Sequence, residues 1–270
     1  MRNKGMQLGA VLVAMLIVSM LFVPAVSAQA EKEKVNKKIV KIIQLQPESG
    51  SEVILNSSNA TRWSDDSISF GGSGEKRVGE PALYFSIEVN ISKGTYKTIK
   101  RNISNDIEFT PVLSKVEIYN NELVPNILTA GVKPGTWLAT IQMITKDPAL
   151  WDLAKTTHTL TWTVNPSGTV TYKGRIDSCW AANPSPLNTH WYVDSCNFQG
   201  SYLYSADYTA LFSTVDNKFH NWDFMNQNQA TYVEHWNQIK GRNDGYYNYW
   251  IDFRNSGELS SILLGFVYAS

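Results

Sequence analysis

Apolar and polar residues alternate along much of the chain, which is the pattern of β-strands with one buried face. Residues 83–92 follow this period of two, and so do residues 137–144. Residues 157–164 are rich in β-branched side chains, which favour strands. With the turn signals between them, these segments predict an antiparallel β-sandwich of immunoglobulin-like architecture over residues 49–165.

The alternation continues through residues 168–270, but this half is more aromatic and holds five of the nine Trp and ten of the thirteen Tyr. The change falls at Asn165-Pro166-Ser167-Gly168, a turn sequence that we interpret as a domain boundary. We therefore expect a second antiparallel, aromatic-rich β unit, or the remainder of one large unit. A strand over residues 260–268 is apolar on both faces, which predicts a place in the middle of the fold or under a covering loop. The other strands predicted in this half are residues 170–180, 189–198, 202–214, 231–240 and 246–254.

Two segments depart from the strand pattern. Residues 147–154 predict one short helix, because Asp147 suits its N-cap and Pro148 its first turn. Residues 49–79 are rich in Ser, Gly, Asn and Asp, and predict loops around short strands. Within them, Gly71-Gly72-Ser73-Gly74 lacks the Lys and Ser/Thr of a P-loop, so we interpret it as a flexible loop and not as a phosphate cradle.

The N-terminal segment has the features of an export signal. A short basic start, an apolar run over residues 8–23 and small residues that end at Ala28 predict a signal peptide over residues 1–28. A retained membrane anchor is the competing interpretation, because the run approaches the roughly 20 residues of a spanning helix. Residues 29–48 predict a tether that leads into a first strand. We expect a protein that is secreted or displayed on the cell surface, with no membrane span after signal cleavage.

Charge and cysteine content narrow the classes of partner and site. The 24 Lys and Arg balance the 24 Asp and Glu, so the chain carries no electrostatic signature of nucleic-acid binding. Cys179 and Cys196 predict a disulfide in an oxidising compartment, which we expect to staple a hairpin made by the strands over 170–180 and 189–198. Two cysteines without a second close pair do not make a zinc centre, and we predict no metal and no cofactor.

The sequence contains no motif that identifies residues for acid–base catalysis, so we name no catalytic residues. The four histidines have no ligand-like spacing, and no Gly-x-Ser-x-Gly elbow is present. We expect His158 to be a surface or sheet residue, and His190 draws attention only through nearby Asp194. Glycosidases use two carboxylates that are often far apart in sequence. The second half offers Asp207, Asp216, Asp223, Glu234, Asp244, Asp252 and Glu258, from which the sequence selects no pair.

Glycosylation signals lie in the first half of the chain. The pattern Asn-x-Ser/Thr predicts acceptor sites if the host glycosylates its exported proteins. The acceptor residues are Asn56, Asn59, Asn90 and Asn102.

A hairpin near the C-terminus gives the candidate binding face. A two-residue turn at Asp244-Gly245 places Ile239 opposite Trp250, with Trp236 on the opposite, core-facing side. The predicted face then consists of Trp250, Asp252, Asn248, Asn237, Arg254 and His235.

This mixture of aromatic, amide and charged groups is suited to saccharides. Flat rings stack on the apolar faces of sugars, and Asn, Asp and Arg form directed hydrogen bonds with hydroxyls. We expect a non-catalytic binding or adhesion protein whose partner is a polysaccharide or an extracellular protein. The alternatives are a secreted, glycosidase-like hydrolase and a structural envelope protein, and simple sheet packing of the aromatic residues also explains the pattern.

Overall fold

The computed structural model describes residues 38–64, 67–102, 131–184, 190–198, 202–223, 230–257 and 260–270. The predicted signal peptide over 1–28, and residues 29–37 of the tether, lie outside the described residues. Among the described residues, no helix has the length and apolarity needed to cross a membrane. Residues 39–270 form one compact unit.

The described chain consists almost entirely of β-strands, as the alternation predicted. A short 3-10 turn, Ser260–Ile262, precedes the last strand. The strands are β1 (Ile39–Gln44), β2 (Gln46–Pro47), β3 (Ser57–Trp63), β4 (Ile68–Arg77), β5 (Leu83–Asn90), β6 (Thr95–Lys100), β7 (Gly135–Lys146), β8 (Asp152–Val164), β9 (Val170–Ala181), β10 (Trp191–Phe198), β11 (Leu203–Tyr204), β12 (Ala210–Asn221), β13 (Thr231–Arg242), β14 (Tyr246–Gly257) and β15 (Leu264–Ala269).

These strands form two sheets with antiparallel pairing, apart from the short parallel pair β2–β6. The first sheet has the order β1-β3-β4-β14-β13-β12-β10, with β11 beside β12. The second sheet has the order β2-β6-β5-β15-β7-β8-β9. Buried side chains from both sheets, such as Tyr249 and Ile251 of the first and Met143 and Trp162 of the second, form one large core cluster. This sandwich-like arrangement confirms the predicted fold class.

Both sheets contain strands from both halves of the sequence. The C-terminal strand β15 lies between β5 and β7, in the middle of the second sheet, as its two apolar faces predicted. In the first sheet, β14 pairs with β4 over ten residue pairs. The predicted boundary at residues 165–168 therefore does not coincide with a division between the sheets, and the segments 49–165 and 168–270 share one core.

The disulfide is formed and joins the two predicted strands, but these strands do not pair with each other as a hairpin. Cys179 and Cys196 are bonded, with their Cα atoms 5.9 Å apart. The expected hairpin does not exist: β9 pairs with β8 at the edge of the second sheet, whereas β10 pairs with β12 at the edge of the first. The bond therefore links the two sheets across one open edge of the sandwich.

The predicted helix over 147–154 is also wrong. A backbone N–H of Trp151 donates to Asp147 Oδ1 (2.9 Å), and Leu150 adopts a left-handed φ of 68°, so these residues close a tight turn between β7 and β8. Strand β8 then begins at Asp152. Leu153 is fully buried in a second, smaller core cluster, and this burial outweighs the helical preference of a short local sequence.

The glycine-rich segment is a strand and not a flexible loop. It forms the centre of β4, between β3 and β14. A Cβ atom at Gly74 would lie 2.3 Å from the ring of Tyr249, and one at Gly72 would lie 2.6 Å from Leu55. Glycine is needed at these two inward-facing positions because large core side chains occupy the space above the backbone.

Candidate functional site

The hairpin β13–β14 differs from the predicted register by one residue. Ile239 pairs with Tyr249, and Gln238 pairs with Trp250. The connecting loop has three residues, 243–245, and Gly245 takes a φ of 82°, the left-handed conformation that such loops require at this position. Because side chains alternate between faces, a shift of one residue moves every side chain of one strand to the other face.

This shift places two of the predicted site residues inside the sandwich. His235 and Asn237 are fully buried. The His235 ring contacts the hydroxyls of Thr145 (2.7 Å) and Thr156 (3.1 Å), and burial lowers the pKa of His235 to about 3. Both residues therefore belong to the interior, and the expectation that they form part of a binding face is wrong.

His158 is the second buried histidine: of the two expected placements, surface or sheet, it takes the second, in β8, with its side chain inside the sandwich. Its Nδ1 donates to Asn237 Oδ1 (2.6 Å), and its Nε2 accepts from the Ser213 hydroxyl (2.9 Å), an arrangement that suits a neutral ring. Burial lowers the pKa of His158 to about 4. Facing it across the β8–β9 pair is Asp177, whose side chain is only 1% exposed and whose pKa burial raises to about 7.

On the outward face of the first sheet, small residues of β4 lie between larger residues of its neighbours. The outward positions of β4 include Ser69, Gly71 and Ser73, because these pair with the outward residues of β14. Gly71 pairs with Asp252 on one side and with Asn59 on the other. Since Gly71 has no side chain, the row across the three strands has a gap at its centre. Asn59 Oδ1 and Asp252 Oδ1 lean into this gap, because they would lie 2.9 Å and 3.5 Å from a Cβ atom at Gly71.

This gap is the floor of a groove with a volume of about 400 Å³. Trp63 rises from β3 on one side, and Trp250 and Trp236 rise from β14 and β13 on the other. The remaining side chains that line it supply hydrogen-bonding groups or apolar contact: Ile39, Ser57, Asn59, Thr61, Glu234, Asp252 and Arg254.

A set of buried contacts holds the wall formed by Trp63 in place. The Arg254 guanidinium lies 4.6 Å from the centre of the Trp63 ring, and the indole Nε1 donates to Ser69 Oγ (3.1 Å). Arg254 also donates to Ser67 Oγ through Nε (2.8 Å) and lies 3.9 Å from Glu234 Oε2. Because Arg254 is buried by these contacts, its role in the groove is to position Trp63 and Glu234.

Asp252 is the unusual carboxylate of the groove. Burial raises its pKa to about 6, and the charges of Glu234 and Asp216 act in the same direction against the hydrogen bond from Ser69 and the charge of Arg254. Its Oδ1 atom is buried and accepts no hydrogen bond from the described residues. Because Asp252 lines the groove and one of its oxygens lacks a hydrogen-bond donor, this carboxyl group is the natural acceptor for a hydroxyl donor of a ligand.

Of the six predicted site residues, three line the groove: Trp250, Asp252 and Arg254. Asn248 is on the same face, but its side chain bonds to Glu75 (3.1 Å) and Arg242 (3.3 Å) instead. The other lining residues were not predicted as part of the binding face. Among them are Trp63, which was not singled out, Trp236, which was assigned to the core, Glu234, which was named only among the carboxylates, and Asn59, which was named only as a glycosylation acceptor.

The remaining histidines form carboxylate pairs that differ from the sequence expectation. His190 contacts Asp223 Oδ2 (3.2 Å), whereas Asp194 bonds to the ring of His220. Neither pair lies in the groove. Within the described segments, no cluster of three or more His, Cys, Asp or Glu residues is arranged to hold a metal ion.

The four predicted glycosylation acceptors are surface residues. Asn56, Asn59, Asn90 and Asn102 are all exposed, so each is accessible to a modifying enzyme. Asn59 also lines the groove, and a glycan there would compete with a ligand for that space. Glycosylation stays a prediction.

No protein-family model matches the chain, and no curated protein or solved structure matches it significantly.

Proposed function

We propose that this protein is a non-catalytic binding or adhesion protein, secreted or displayed at the cell surface, that binds a saccharide in the groove above Gly71. The observation that carries the proposal is the pairing of indole walls with a polar floor: Trp236 and Trp250 stand beside Asp252 and Asn59. Apolar sugar faces stack on aromatic rings, while hydroxyls donate to carboxylate and amide oxygens.

Rigidity of the walls supports this function. Trp63 is held by a cation–π contact and an indole hydrogen bond. Trp250 and Trp236 lie on β14 and β13, which are interior strands of the first sheet. A ligand that binds to fixed side chains orders few of them, so less binding free energy is lost to conformational entropy. The disulfide and the N-terminal sequence pattern are consistent with an extracellular location.

A glycosidase-like hydrolase is the second candidate, and Asp252 is the reason for it. A carboxyl group with a pKa raised to about 6 is suited to donate a proton near neutral pH, and Glu234 lies in the same groove as a second carboxylate. The two residues are diagonal neighbours on paired strands, which corresponds to a Cα separation of about 7–8 Å.

The test combines retention and turnover in one experiment. The purified, disulfide-bonded protein is incubated with insoluble cellulose, xylan and chitin, and bound protein and released reducing sugar are measured from the same sample. We expect retention without release. Release that disappears in Asp252→Asn, while retention persists, would favour the hydrolase instead.

Variants then locate the site. We expect Trp236→Ala and Trp250→Ala each to weaken retention about tenfold or more, the equivalent of roughly 1.4 kcal/mol. Trp180→Ala is the matched control: this indole is 46% exposed but lies on β9 of the second sheet. Equal losses in all three variants, or none in the groove variants with their circular dichroism intact, would contradict the proposal.

A further inference from the structure

We infer that the ligand is an extended glycan chain, because a second aromatic subsite lies on the same face beyond the groove. This inference rests on the proposed function and names the class of ligand more narrowly. The second subsite, which we call the distal cluster, consists of Tyr192, His220, Trp222 and Tyr232.

The distal cluster is built of rings in direct contact. The Tyr192 and His220 rings stack with their centres 5.2 Å apart, and Trp222 meets His220 edge to face at 4.9 Å. The Tyr232 ring lies beside both, with its centre 6.4 Å from that of Trp222 and 6.3 Å from that of His220. Asp194 bonds to the His220 ring and fixes it between its neighbours.

These rings are exposed, although they are large and apolar. Trp222 is 60% exposed, Tyr192 is 42% exposed and Tyr232 is 40% exposed. None belongs to the core clusters between the sheets. These rings restrain one another by contact but remain accessible to solvent, as do the rigid aromatic residues of binding surfaces. Such residues lose little conformational entropy when a ligand covers them.

Register places the distal cluster in line with the groove. His220 pairs with Tyr232, and both occupy outward positions, as do Glu234 and Trp236 further along β13. Tyr232 is four residues from Trp236, a distance of about 14 Å at the strand rise of about 3.4 Å per residue.

The surface between the two aromatic regions is polar. Glu234 lies between them on β13, and its carboxylate is 3.7 Å from the Lys218 ammonium on β12. Charged groups at this point offer hydrogen bonds to hydroxyls between two stacking positions. A single sugar unit is too small to reach both regions, whereas a chain that crosses the strands diagonally contacts Trp250, Trp236 and then the distal cluster.

The occupant we argue for is a linear polysaccharide. Alternating rings and hydrogen-bonding groups along one line match the repeating apolar faces and hydroxyls of such a chain. A globular protein partner would instead bind at the distal cluster without any need for the groove.

The experiment measures affinity against chain length. Dissociation constants are determined by calorimetry for cello-, xylo- and chito-oligosaccharides, from the disaccharide to the octasaccharide, with the wild-type protein, Trp222→Ala, Trp236→Ala and the Trp180→Ala control. We expect wild-type affinity to rise with length. Trp222→Ala should bind short oligomers as the wild type does and long oligomers about tenfold more weakly, whereas Trp236→Ala should weaken both.

The outcomes separate the two proposals. If the wild type binds oligosaccharides, two results with Trp222→Ala would refute the distal subsite but not the groove. One is the same affinity as the wild type at every length, and the other is an affinity that is reduced equally at every length. If the wild type binds no saccharide of any length, the proposed function fails, and the inference fails with it. Tyr232→Ala is the second variant, and it should reproduce the length-dependent loss of Trp222→Ala.

Discussion

Replacing Asp177 by Asn should stabilise the protein at alkaline pH and leave its stability at acidic pH nearly unchanged. The Asp177 side chain is buried, and neither of its oxygens accepts a hydrogen bond within the described part of the chain. The nearest cation is Arg175, whose Nε lies 3.7 Å from Oδ2. Asn has almost the same shape and cannot ionise, so the substitution removes the charge and little else.

The magnitude follows from the pKa of Asp177. Burial raises it from 3.8 to about 7 in the folded protein, against the opposing charge of Arg175. Between these values the folded state holds a proton that the unfolded chain has lost, so the stability contributed by the protonated carboxyl is complete below pH 3.8 and is lost as pH rises through 7. A difference of about three pKa units at 1.36 kcal/mol each corresponds to up to about 4 kcal/mol.

The assay is urea unfolding of wild type and Asp177→Asn, followed by tryptophan fluorescence, at a series of pH values from about 4 to 8.5. We expect the difference in unfolding free energy between variant and wild type to grow with pH in favour of the variant. Asp207→Asn is the control: hydrogen bonds from Ser205 and Thr209 lower the pKa of Asp207 to about 2, so this group titrates below the pH range of the assay and its difference from wild type should stay constant across that range. A difference that stays constant with pH for Asp177→Asn would refute the buried placement of this carboxylate.

Two further predictions concern stability. Replacing Cys179 and Cys196 together by Ser should lower the unfolding free energy by about 3 kcal/mol, because the disulfide closes a loop of 17 residues in the unfolded chain. Urea unfolding measures this loss, and an unchanged midpoint would contradict the stabilising role of the disulfide. Gly74→Ala should lower the unfolding free energy by about 1–3 kcal/mol through its clash with the Tyr249 ring. Thermal unfolding checks this, with Gly174→Ala as the control, because nothing lies within 4 Å of a Cβ atom there.

The strands that the sequence predicted best are those in which a local pattern reports directly on burial. In β13 and β14 every second residue is buried, and the alternation over 231–240 and 246–254 located both strands. The last strand was predicted to lie centrally, and it does, because only a strand covered on both faces tolerates apolar residues at successive positions.

Segments whose conformation depends on distant partners were predicted wrongly. The glycines of β4 have low strand propensity, and only the space taken by Leu55 and Tyr249 makes them suitable there. Residues 147–154 contain local helix signals, but pairing of β8 with both β7 and β9 satisfies more backbone groups than a short helix would.

The sequence by itself determined the fold class, most strand positions, the disulfide and the presence of an aromatic, polar hairpin near the C-terminus. The tertiary structure alone decided which face of that hairpin is exposed, because one extra loop residue reverses the faces of a strand. It also decided that β4 lies beside β14, which places Gly71 between Asn59 and Asp252 and so forms the groove. Contacts between residues far apart in sequence leave no mark on local periodicity, and for this reason the sequence alone did not reveal the groove.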